Sequence, residues 1–246
     1  MGYKYIDALA KPENLEKFVQ LTDLVAGAKL SVSNVFDIED ALRDSPRMQR
    51  CLTKVRNEPA SAKILEERYR GENYDLEKML KMPPHSLGWT YAKVLTALGY
   101  DPNFYRLREI ESDVDFITHR VRKTHDLHHV LTGFSFDDYG EIGVIAVTFG
   151  QIAYAPFTLM ALLGSFLSYV TDAKSPGIDN QLEYNFDTAS AGIQIARQAK
   201  PLFPIKWEEN LDRPLDELRS ELNIQPVTTG LWSWYTRPLL QEAISA

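Results

Sequence analysis

Apolar positions recur at helical spacing along almost the whole chain. After Pro12, Leu15, Phe18, Val19, Thr22 and Val25 return every three or four residues, with Pro12 fitting a first turn and Gly27 an end. A second helical region runs from about Asp40 to Arg56, with Pro46 marking a break or a new start. A third begins at Pro59 and carries Ile64, Leu65 and the charged run Glu66-Glu67-Arg68. Met82-Pro83-Pro84-His85 reads as a turn, after which Ser86 caps a helix through about Leu98, stopped by Gly99. Residues 111–131 predict a long helix with Val114, Ile117, Val121, Leu127 and Val130 inside, ended by Gly133. Asp137 or Asp138 caps the next helix, which opens near Glu141. Helices return after Asp187 and again over Pro214 to Leu222. No alternating strand pattern, hairpin dipeptide, repeat or low-complexity linker interrupts this. The fold class expected is all-α, a single-domain helical bundle.

One stretch admits two structures. Residues 142–171 hold no charged residue, which is long enough to span a bilayer. Pro156 in mid-run and the polar side chains of Thr148, Gln151, Tyr154, Thr158, Ser165 and Ser168 favour two buried helices, or a membrane-facing surface, over a spanning one.

Composition narrows the partners. The chain has 246 residues, enough for one well-buried domain, with 44% hydrophobic and 25% charged residues, and it is not disordered. A net charge of -7 argues against non-specific nucleic-acid binding. A lone cysteine, Cys51, rules out an intramolecular disulfide framework and suggests a reducing compartment. The N-terminus shows no long apolar run, and Ile6 stands where a myristoylation site following Gly2 needs Ser or Thr. A cytoplasmic bacterial protein is the simplest expectation.

The candidate chemistry lies in the long helix. His125 and His129 are four residues apart, so at about 3.6 residues per turn they project from one face and can chelate one cation. Asp126 points about a quarter-turn away and could complete the coordination, orient a ligand or act as a base. Glu141 follows the Thr132–Gly140 connector, and a helix return can bring it against the histidines. Two histidines with one or two carboxylates suit zinc, or iron(II) with an open position; magnesium is less natural. The plain alternative is two ordinary histidines on an exposed helix, since such spacing is common. His128 is expected at the surface or behind the ligands, and His85 and His119 are expected to be structural. Arg120, Arg122 and Lys123 form either a solvated face or a set of cations that meets a phosphate or carboxylate near the metal.

The run R-V-R-K-T-H-D-L-H-H-V-L-T-G, followed by Gly140-Glu141, resembles the Coq-four family, the fourth coenzyme Q (ubiquinone) biosynthesis protein. That family carries H-D-x-x-H, eleven residues, then E, and His129 and Glu141 here are separated by eleven residues. The segments from Ile64 to Arg70, from Pro84 to Tyr91, and from Trp207-Glu208 to Ile224 also resemble the family, in the right order. Tyr69, His85 and Trp89 depart from it, standing where Pro, Gly and Arg are usual. The resemblance covers roughly residues 35–225, so residues 1–225 are read as the family domain and 226–246 as a C-terminal extension.

The resemblance implies an all-α fold and a divalent metal, usually considered zinc, held by His125, Asp126, His129 and Glu141 between the long helix and the next. It also implies peripheral membrane association and a place in a complex that modifies a polyprenylated aromatic ring; a homodimer is expected too. Two functions follow. One is an enzyme that replaces the ring carboxylate by a hydroxyl, with Asp126 and Glu141 catalytic and Arg120, Arg122 and Lys123 holding the head group. The other is a non-catalytic lipid-binding scaffold with a structural metal. In either case a polyprenyl lipid is expected to lie with its head toward the metal and its tail along Ile142, Val144, Ile145, Val147, Phe149, Ile152 and Phe157.

Overall fold

The computed structural model describes residues 11–28, 33–104, 109–172 and 174–245. The N-terminal residues 1–10, Gly2 and Ile6 among them, lie outside the described residues. Among the described residues every regular element is a helix, and strand-like pairing is limited to two isolated bridges, Ser86 with Pro214 and Phe134 with Ser233. The order is α1 (Pro12–Ala28), α2 (Ser33–Leu42), α3 (Pro46–Asn57), α4 (Pro59–Glu67), a short α5 (Leu76–Met79), α6 (Leu87–Leu98), α7 (Asp113–Thr132), α8 (Glu141–Ile152), α9 (Ala155–Thr171), α10 (Gln181–Gln198), α11 (Leu215–Leu222) and α12 (Pro238–Ser245). Single 3-10 turns occur at Trp207–Glu209 and Trp234–Thr236.

Local chemistry sets most of these boundaries. Pro46 is a new start, with the Ser45 hydroxyl accepting from Met48 N. Ser86 caps α6 and Gly99 ends it at φ 70°. The long helix opens on a capping box between Ser112 and Asp115 and closes on Gly133 at φ 86°.

Elsewhere the structure differs from expectation: the region expected from about Asp40 is preceded by α2, which begins at Ser33. Neither Asp137 nor Asp138 caps α8, whose N-cap is Gly140. The Asp137 carboxylate instead accepts from the Ser135 hydroxyl and from Tyr139 N, ordering the turn before the helix. The helix expected after Asp187 begins at Gln181, because the Asn180 side chain accepts from Glu183 N and nucleates it earlier.

The uncharged stretch is two helices. Pro156 lies in the first turn of α9, where its missing N–H has no cost. No helix among the described residues is long and apolar enough to cross a membrane.

Helix α7 runs through the domain and serves two apolar cores. Its N-terminal half gives Val114, Phe116, Ile117 and Val121 to one, with Ile38, Met48, Ile64, Ile145, Tyr154 and Phe157. Its C-terminal half gives Leu127, Val130 and Leu131 to the other, with Leu87, Tyr91, Val144, Trp207, Leu218 and Trp234. The residues beyond 225 pack into this second core, Trp234 and Leu240 each being 2% exposed.

The apolar run after Glu141 is mostly core, which corrects its expected role as a lipid wall. Val144, Ile145, Val147, Ile152 and Phe157 are buried between helices, and only Ile142 and Phe149 keep partial exposure. A groove of about 840 Å³ does lie at the far end of α8, lined by Phe149, Ala153, Leu159 and Leu162 on one side and by Arg47, Arg50 and Lys54 of α3 on the other.

Candidate metal centre

At about 100° per residue, His125, His129, Arg122 and Asp126 share one sector of α7, while Arg120, Lys123 and Leu127 share the opposite one. The turn after Gly133 folds α8 back so that its first residue, Glu141, faces that sector. His125 Nε2 lies 3.1 Å from Glu141 Oε1 and His129 Nε2 lies 3.2 Å from Oε2. The two Nε2 atoms are 3.3 Å apart. Asp126 offers an oxygen that lies, with a nitrogen of each imidazole, in a group no wider than 4.8 Å.

These separations fit one cation. Tetrahedral ligands about 2.1 Å from an ion stand about 3.4 Å from one another. The donor set, two imidazoles and carboxylate oxygen, suits a borderline divalent ion such as zinc or iron(II) better than magnesium. The orientation of His129 supports this. Its Nδ1 lies 3.2 Å from the Phe134 carbonyl, so Nδ1 donates there and Nε2 is the nitrogen left to face Glu141, with a proton when the site is empty and with a lone pair when a cation replaces that proton. Phe136 stacks on the same ring, centroids 4.5 Å apart, and fixes its plane. Phe157 meets the His125 ring edge-on at 5.2 Å.

The charges are mutually dependent. Burial works against the Glu141 carboxylate, but the facing imidazoles outweigh it and hold it well below its ordinary range. Burial likewise opposes a charged His129, and the Glu141 contact overcomes it and raises the imidazole. Burial lifts Asp126, with Glu141 adding to it and the histidines and Arg122 pulling the other way. The site is open on one side, since the Glu141 side chain is 38% exposed while His125 and His129 are buried.

Other predicted residues are placed differently. His128 is not at the surface: about 100° round the helix from His129, it is buried against Trp207, ring centroids 6.0 Å apart. Burial and the neighbouring histidines push its imidazole down to about 3, so it is neutral. The three cations do not face outward toward a head group. Arg120 is buried against Glu208 at 2.9 Å and the Ile205 carbonyl. Lys123 donates to the carbonyls of Arg70 and Glu72 and pairs with Glu208 at 3.1 Å. Arg122 pairs with Glu39 at 2.5 Å and lies over the Phe157 ring. Their length lets them reach carboxylates on other elements, which a buried cation requires. His85 sits at φ 62°, a left-handed position where the glycine usual in the Coq-four family would be unstrained. Phe134, Phe136 and Trp234, which hold the His129 end of the helix, carried no mark in the sequence beyond the Gly133 stop.

The family model described as "Coenzyme Q (ubiquinone) biosynthesis protein Coq4" matches residues 40–228. The chain belongs to the Coq4 family. All four candidate ligands fall inside that match. Among curated Coq4 relatives, the mitochondrial ubiquinone biosynthesis protein of Kluyveromyces lactis is 33% identical over 168 residues, which is 67% of this chain and 48% of that protein. The counterpart in Talaromyces marneffei is 28% identical over 171 residues, 68% of this chain and 56% of that protein. The chain thus spans about half the length of the curated relatives it matches. A crystal structure from Nostoc punctiforme shares the fold, with a TM-score of 0.73 and 24% identity over 85% of this chain and 95% of that one.

Proposed function

We propose that this Coq4-family chain acts in ubiquinone-type biosynthesis by holding one divalent cation with His125, Asp126, His129 and Glu141, its open side turned toward a polyprenylated ring intermediate. The observation that carries this is the convergence of both Nε2 atoms on Glu141 beneath a partly exposed carboxylate. Zinc is the ion the donors favour, with iron and magnesium next. Bound there, it would supply Lewis-acid polarisation of a ring carboxylate or hydroxyl. Asp126 and Glu141 are the groups placed to hold or move a proton beside it, in a reaction that replaces the ring carboxylate by a hydroxyl, the carboxylate leaving as carbon dioxide and a peroxide-class co-substrate serving as two-electron oxidant and source of the hydroxyl oxygen. The prenyl tail belongs in the groove beside Phe149, Leu159 and Leu162 rather than along the buried face of α8. Association with the membrane is peripheral, and a second copy and other biosynthetic proteins are the expected partners.

Elemental analysis of the purified chain tests the metal. We expect about one divalent ion per chain, as for a single ligand cluster. His125→Ala and His129→Ala should each remove it, whereas His128→Leu should retain it. Loss of metal in His128→Leu but not in His129→Ala would overturn the assignment. Conversion of a prenylated 4-hydroxybenzoate-type ring, with and without metal, tests the reaction.

A scaffold with a structural ion is the second reading. What favours it is that Arg120, Arg122 and Lys123 are paired internally with Glu208 and Glu39, so none of these three is turned toward an anionic head at the metal. Full metal occupancy with tight prenyl-lipid binding but no turnover would select it.

A further inference from the structure

We infer that the segment 227–240, which lies beyond the family match from residue 229 on, is a positioning element of the metal centre, clamping the end of α7 and the turn to Glu141. The inference rests on the metal-binding function proposed above. A helix leaves its last four carbonyls without partners inside the helix. In α7 these belong to His129, Val130, Leu131 and Thr132, and each is met from the C-terminal part of the chain. The His129 carbonyl accepts from Trp234 Nε1 at 3.1 Å as well as from Gly133 N at 2.9 Å. Val130 and Leu131 accept from Arg219 Nη2 and Nε at 2.7 and 2.9 Å. Thr132 accepts from Val227 N at 2.8 Å.

The turn itself is held on both sides of Phe134, whose carbonyl orients His129. Trp234 N donates to Gly133 O at 3.0 Å, and Ser135 N donates to Trp232 O at 2.7 Å. Further on, Arg237 Nη2 donates to Asp137 at 2.8 Å and lies over the Tyr139 ring at 4.9 Å. One short segment therefore fixes the last turn of the helix that bears His129, the carbonyl that sets its tautomer, and the turn that aims Glu141. Trp234 is locked in turn, stacked on Tyr235 at 3.9 Å, whose hydroxyl meets Arg219. These side chains touch neither ion nor substrate. They act by fixing where the ligands stand, and partners of that kind are worth about 10–100-fold in metal affinity.

The test is cobalt(II) binding to the full-length chain, read by chelator competition and by the visible spectrum of the bound ion. Trp234→Phe keeps the ring and deletes the donor to His129 O. Arg237→Gln, at a half-exposed position, releases Asp137 without a core change. Both should weaken cobalt(II) binding about tenfold and shift the visible bands, which report ligand geometry. Leu222→Ala, in the same core but away from the turn, should lower the melting temperature and leave affinity and spectrum unchanged. Wild-type affinity and spectrum in both turn variants would overturn the clamp alone. Equal losses in Leu222→Ala would also overturn it, by tracing them to general instability. A wild-type chain that binds no cobalt(II) would overturn the metal reading and the clamp with it.

Discussion

Glu208 shows how a residue can matter without touching the site. Its carboxylate, 5% exposed, is shared by Arg120 and Lys123, both buried on the far side of α7. Removing one charge from a buried network leaves the others uncompensated, at a cost of about 3–5 kcal/mol. Glu208→Gln should therefore lose about 3 kcal/mol, measured by urea unfolding, with metal occupancy retained. His119, near the same cations, gives the pH behaviour. Burial, then Lys123, Arg120 and Arg70, lower its imidazole to about 4 from an ordinary 6.5. The unfolded chain takes up that proton first as pH falls. Stability contributed by neutral His119 is thus present above 6.5 and is lost as pH drops toward 4. His119→Gln should flatten the stability curve across that window. Below it the loss passes to carboxyls that the fold holds low, Asp115 through its hydrogen bond with Arg43 and Glu141 through its histidines among them. An unchanged slope between 6.5 and 4 in the variant would refute this. The charged residues were visible in the sequence, but their fates were not. Arg120 and Arg122 meet partners 88 and 83 residues away, and no local pattern encodes such distances.

Elements were legible wherever the boundary chemistry is local. Ser45-Pro46, Ser86 with Gly99, and Gly133 each satisfy or end a helix with their own atoms, so their sequence marks are sufficient. The opening of α8 at Glu141 was legible but its cap was not, because the turn before it is held from outside, with Tyr184 donating to the Tyr139 carbonyl and Arg237 to Asp137. The same distinction divides the site. His125 and His129 follow from helical spacing, whereas the return of Glu141 follows from that turn and rested on family resemblance. Gly133 joins the two. Its φ of 86° disfavours any L side chain, and a Cβ there would stand 2.2 Å from the Val227 carbonyl oxygen. The left-handed conformation alone costs roughly 1–2 kcal/mol, and the contact is with backbone that cannot rotate away. Gly133→Ala should destabilise by at least about 2 kcal/mol in urea. It should also weaken metal binding, since Val227 and Phe134 move with it. A variant as stable as the parent would show that the segment 227–240 yields freely.

At the scale of the molecule, the two cores account for most apolar residues but not for one face. On α9, Leu162, Phe166, Tyr169 and Val170 are exposed at positions spaced four, seven and eight residues along, a single helical stripe, with Leu162 62% and Tyr169 70% exposed. The helix carries no charged residue to break the stripe. Phe186 of α10 adds to the exposed apolar surface, and Phe18 of α1 lies edge-on to Phe166 at 5.9 Å. A contiguous apolar face of this kind normally meets a partner or a lipid surface. The neighbouring groove carries Arg47, Arg50 and Lys54 opposite Leu159 and Leu162, so hydrocarbon and anionic phosphate would both find complements there. We predict that the protein floats with vesicles containing anionic phospholipid, and that alkaline carbonate releases it, as no described helix can span. The double substitution Leu162→Glu, Tyr169→Glu should abolish flotation. Because both side chains are largely exposed, folding stability should change by less than about 1 kcal/mol. Sedimentation supplies the second readout. Retained flotation together with a change from dimer to monomer would assign the stripe to a second copy of the chain and refute lipid as its cover.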